Sequence, residues 1–154
     1  MPDIEDAFER VRAAEGNLSS YNYAIAIQNA QEAIELALKS LLDVLRVDYV
    51  EKVQGRKIYR HDVSDYLSEA LRRLQAFPNV DLEFMRRAFA DSSVALKMLT
   101  SIKEFAMYGI TGLKLGSGDV LGRTFGIDIA KIFVPQVRTL THWIGTCISQ
   151  VKSK

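Results

Sequence analysis

Along residues 21–45 apolar side chains recur every three or four positions (Tyr23, Ile27, Ala30, Ile34, Ala37, Leu38, Leu41 and Leu45), with no Pro or Gly among them. That spacing lays side chains along one stripe of a helix rather than on the alternate faces of a strand. The stretch therefore predicts a central helix, roughly 38 Å long at 1.5 Å per residue. Gln28, Gln31, Glu32, Glu35 and Lys39 fall on a separate polar ribbon, and Ser19 or Ser20 is the expected N-cap.

The same period returns on either side. Residues 3–15 form a short amphipathic helix through Ile4, Ala7, Phe8, Val11 and Ala14, with Asp3, Glu5 and Asp6 in its first turn and Gly16 and Asn17 as its stop. Residues 47–60 lose the period and read as a loop. Helix resumes over residues 61–77 (Val63, Tyr66, Leu67, Ala70, Leu71, Leu74) and ends before Pro78, which pushes its predecessor out of the helical region. A second long helix is expected over residues 82–107. Six of the nine glycines lie between Gly109 and Gly126, and this stretch reads as a flexible loop. Residues 127–151 are helical again, opened or kinked by Pro135 and apolar on more than one face. The fold class is therefore all-α: an antiparallel up-and-down bundle of about five helices, in a single domain over residues 1–154.

Composition narrows the class without naming a function. The chain of 154 residues is 48% hydrophobic and 25% charged, as in a globular protein, and its net charge is +1. The single cysteine, Cys147, rules out an intrachain disulfide and reads as a core residue in a reducing compartment. The acidic start lacks the marks of a signal peptide, and no apolar run is long enough for a membrane span, so a cytoplasmic protein is expected. A final helix apolar on several sides calls for cover, and a homodimer through that helix would supply it.

Chemistry is sparse. The glycine-rich stretch has neither the lysine and hydroxyl of a phosphate-binding loop nor a strand before it. His142 has no carboxylate within two turns and reads as a core or interface residue; His61 stands at the mouth of a helix beside Asp62. No metal site and no cofactor are expected. Arg46, Lys52, Arg56, Lys57, Arg60 and the pairs Arg72/Arg73 and Arg86/Arg87 could contact RNA phosphates, but each sits beside acids in a nearly neutral chain.

Three pieces in register resemble the HEPN family, the helical nucleotide-binding domains of higher eukaryotes and prokaryotes. Gln31 to Lys39 (QEAIELALK) is similar to the family's QxAxExALK pattern in its second helix. His61-Asp62-Val63 resembles the start of its third, and Phe105 to Gly109, with Tyr108, the end of its fourth. Many members are metal-independent ribonucleases, often toxins, whose site is an Arg followed four to six residues later by His, paired across a dimer. In this chain Arg56 and His61 have that spacing but precede the third helix. Arg138 and His142 lie in the last helix but stand one residue too close, and Met107 occupies the place of the arginine in an Arg-Tyr pair. The resemblance therefore implies the branch without the nuclease motif, similar to the small partner subunits of minimal nucleotidyltransferases in toxin-antitoxin-like pairs. Lys39, His61, Asp62 and Tyr108 are its implied nucleotide-binding positions. Two alternatives stand beside it: a dimeric ribonuclease using Arg138 and His142, and a helical interaction scaffold without a ligand.

Overall fold

The computed structural model describes residues 3–48, 50–53, 56–59, 63–81, 83 and 118–153. Among them are four helices, α1 (Ile4–Ser19), α2 (Tyr23–Val44), α3 (Val63–Leu74) and α4 (Gly118–Lys152), and one hairpin, β1 (Val50–Val53) with β2 (Arg56–Tyr59). The helix expected over residues 82–107 and the glycine-rich residues 109–117 lie outside the described residues.

α1 begins as its sequence dictates. The Asp3 carboxylate accepts from the Glu5 amide at 3.3 Å, and Asp6 reaches back to the Asp3 amide at 3.4 Å, closing a reciprocal cap on the positive end of the helix. Its end departs from expectation, because the helix runs through Gly16 and Asn17 to Ser19. What stops it is Tyr21 at φ 65°, in the left-handed region. There the Tyr21 amide donates to Leu18 O at 3.2 Å and the Asn22 amide to Asn17 O at 2.8 Å. α2 ends in the same way at Arg46, φ 60°, where the Arg46 and Val47 amides donate back to Asp43 O and Leu42 O. Such paired closures satisfy the last carbonyls of a helix, normally with glycine at the left-handed position; a residue with a Cβ there gives up about 1–2 kcal/mol. Ser19 and Ser20 do not cap α2, whose N-cap is Asn22 without a side-chain bond.

The three-residue turn between α1 and α2 makes them antiparallel, with Arg10 on Glu32 at 3.2 Å. α4 also runs against α1, since Glu15 meets Arg138, Phe8 meets His142, and Ile4 lies beside Gly145. α2 and α4 therefore run in the same sense. α2 packs on α1, α3 and α4, and α1 packs on α4. The core joins Ala7, Val11 and Ala14 of α1, Ile27, Ile34, Leu38 and Leu41 of α2, Tyr66, Ala70 and Leu74 of α3, and Val134, Val137, Ile144 and Cys147 of α4.

Two loop expectations are corrected. Within residues 47–60 the chain forms an antiparallel hairpin, with Val50 opposite Tyr59 and Val53 opposite Arg56. Val, Ile and Tyr suit a pleated surface, but alternation over four residues is too short to outweigh the neighbouring polar groups. The glycine-rich stretch is helical from Gly118 onward. Gly118, Gly122 and Gly126 are spaced four apart, so they share one flank of α4 and each costs the helix only about 1 kcal/mol against alanine. Pro135 lies inside α4 at an exposed position rather than opening it.

Two buried side chains of α2 and α4 separate packing from polarity. Ile34 is fully enclosed, and Thr141 is equally enclosed while its hydroxyl finds no hydrogen-bond partner among the described residues. Ile34→Ala should cost about 2–5 kcal/mol. Thr141→Val, which removes an unpaired hydroxyl and keeps the shape, should raise stability by about 1 kcal/mol. Urea denaturation measures both, and a Thr141→Val loss matching that of Ile34→Ala would contradict this packing.

Candidate functional site

On α2, Gln31, Glu35 and Lys39 stand one turn apart along one flank, where the sequence predicts a separate polar ribbon. These three members of the ribbon are largely covered, while Gln28 is exposed and Glu32 half-buried. Gln31 is buried, and the Glu35 and Lys39 side chains are only 15% and 13% exposed. Lys39 Nζ donates to Glu35 Oε1 at 2.8 Å. Glutamate four residues before lysine is the favoured order of such a pair, since each charge then faces the complementary end of the helix dipole. Burial raises the stakes, because removing one partner leaves the other charge poorly solvated.

The α3 side of this flank is aromatic. Tyr66 is buried, and Lys39 Nζ lies 5.9 Å from its ring centroid, within the range where a ring face attracts a cation. The sequence assigns Tyr66 to the apolar stripe of α3 and misses its place under the lysine. Its spacing holds no signal of that pairing, which arises only from the packing of α3 on α2. Of the four implied nucleotide-binding positions, Lys39 is placed here; His61, Asp62 and Tyr108 lie outside the described residues.

The alternative pair sits elsewhere. Arg138 and His142 are one turn apart on α4, both exposed, against α1. Arg138 Nη1 is 3.7 Å from Glu15 Oε2, and the His142 ring lies 5.0 Å from that of Phe8 at 48°. Of the two places the sequence suggests for His142, core or interface, its exposure removes the core. Phe8 can reach it because Gly145 leaves room: a Cβ at that position would stand 3.3 Å from Phe8 Cζ.

The arginines offered for RNA contact are partly committed as well. Arg72 grips Glu69 through two bonds, at 2.6 and 3.2 Å, and Arg73 adds a third at 3.2 Å. The Arg72 guanidinium, helped by Arg73, holds the Glu69 carboxyl below its usual range, and Glu69 raises Arg72 in return. Arg86 and Arg87 lie outside the described residues. No group of three His, Cys, Asp or Glu able to hold a metal occurs among the described residues, and none of their helices is long and apolar enough to cross a membrane.

Cys147 is buried in the core, as the sequence predicts, and burial pushes its thiol up to about 11. The thiolate is the reactive form, so native protein at pH 8 should resist iodoacetamide while unfolded protein reacts fully. The raised value also sets a sign for stability. The contribution is intact below the ordinary thiol range and is lost as pH rises towards about 11, where the unfolded chain has already released the proton. Native labelling as fast as that of the unfolded chain would show the thiol to be open.

A family model, HEPN domain, matches residues 4–108, well over half of the chain. No curated protein and no solved structure matches. The matched span contains α1, α2, the hairpin and α3, while α4 lies beyond it.

Proposed function

Because the chain belongs to the HEPN family, we propose that it is a non-catalytic member that binds a nucleotide on the α2 flank facing α3. The observation that carries this reading is Lys39, a cation retained in a largely closed seam between Glu35 and the Tyr66 ring. A bundle held only by packing would gain from an apolar residue there. A phosphate arriving at Lys39 would share the ammonium with Glu35, whose carboxylate keeps the charge in place until then. His61, Asp62 and Tyr108 complete the proposed site. In a toxin-antitoxin-like pair the nucleotide would belong to a minimal nucleotidyltransferase partner, and the same α2 flank would be offered to it. Two copies would pair through α4, a reading supported by Ile132, which is 62% exposed on a helix with apolar residues on several sides.

A second reading rests on Arg138 and His142, exposed together on α4: a metal-independent ribonuclease. The salt bridge of Arg138 to Glu15 and the contact of His142 with Phe8 favour a structural role for both instead.

Thermal melting with a panel of nucleoside mono- and triphosphates, one at a time, separates the readings. A nucleotide at a hundred times its Kd stabilises by about 2.7 kcal/mol, which for a chain of this size raises Tm by roughly 5–10 °C. The rise should vanish in Lys39→Met. No rise with any nucleotide would leave a helical scaffold as the function. In parallel, the wild type should leave RNA intact; cleavage that disappears in His142→Ala would replace the proposal by the ribonuclease.

A further inference from the structure

Lys39 accounts for one end of the α2 flank and leaves the other without a role. Gln31 is 5% exposed, and its Oε1 accepts no hydrogen bond among the described residues. An enclosed carboxamide oxygen without a donor forfeits about 1–3 kcal/mol, and folded proteins leave few such atoms. Leucine or methionine would fill the same space without that cost. Gln31 precedes Lys39 by two turns on one flank of α2, so roughly 12 Å of helix axis separates them. That is comparable to the distance from the exocyclic amine of a nucleobase to its 5′-phosphate in an extended nucleotide.

Resting on the nucleotide reading above, we propose that Gln31 Oε1 accepts a hydrogen bond from the exocyclic amine of an adenine nucleotide whose phosphate lies at Lys39. A carboxamide presents an acceptor and a donor side by side, which complements the exocyclic amine and N7 of adenine. Hypoxanthine carries a carbonyl in place of that amine, so on the same edge it offers two acceptors, and whichever way the carboxamide is turned its oxygen meets an acceptor. In an enclosed site such a mismatch leaves two facing acceptors without a donor between them, so discrimination is strong. Because Oε1 is enclosed, the base reaches it only with an opening of the packing around Gln31.

The test compares adenosine 5′-monophosphate with inosine 5′-monophosphate on the full chain by titration calorimetry. Wild type should bind the adenine nucleotide roughly tenfold more tightly or better. Gln31→Leu should lose that preference, binding both within about twofold, while Lys39→Met should weaken both together. Gln31→Met serves where the leucine variant fails to fold. Equal affinities in the wild type, or a preference that survives in the Gln31 variants, would overturn the assignment of Gln31 and leave nucleotide binding standing. Wild type that binds neither nucleotide would overturn the adenine assignment, and the nucleotide reading falls with it only if the melting panel also shows no rise.

Discussion

The enclosure of α2 is the constraint on which the other elements depend. Its buried positions, from Ala26 and Ile27 through Ile34, Leu38 and Leu41 to Leu42, cover well over half of its circumference. A helix can be wrapped so fully only if its neighbours come close, and Ala26, Ala30, Ala33 and Ala37 provide the low ground. Ala7 and Ala14 on α1 and Ala130 on α4 do the same from the other side of the core. Between these small residues Ile34, Leu38 and Leu41 each bury a full side chain, worth about 1.5–3 kcal/mol apiece. α1 and α4 then lie antiparallel to one another against the same helix.

That enclosure also gives the polar groups of α2 their character. In solvent, a glutamate and a lysine four residues apart contribute a few tenths of a kcal/mol. Beneath α3 the same pair is held in a poorly solvated seam with Tyr66, and its geometry is fixed by packing as much as by charge. Gln31, one turn before Glu35, is buried as well. The helix that organises the core thus also holds the charge and the amide on which the functional reading is built.

Helical class, the central place of α2 and the α1 start could be read from residue spacing, because apolar period and capping are local properties. The exits of α1 and α2 could not. Gly16 looks like a terminus, yet tertiary contacts carry the helix past it, and Tyr21 and Arg46 accept the left-handed conformation that a glycine would have announced. At 118–126 the glycines suggested a loop, although their spacing by four is compatible with a helix. Of the candidate site, Lys39 was legible through its resemblance to a family pattern. Tyr66 was not, since an aromatic on an apolar stripe carries no mark of the cation it will meet. Nor was the burial of Gln31, Glu35 and Lys39 within the polar ribbon, which depends on what packs over them.

Native-state hydrogen exchange resolved by residue tests the enclosure of α2 most directly. Elements covered on most sides open only with the whole molecule, whereas peripheral ones open locally at lower free energy. The amides of residues 27–41 should exchange with the free energy of global unfolding, and those of the hairpin, whose strands pack chiefly on each other among the described elements, well below it. Exchange of residues 27–41 through a local opening cheaper than that of α1 or the second half of α4 would show that α2 is not the axis of this fold.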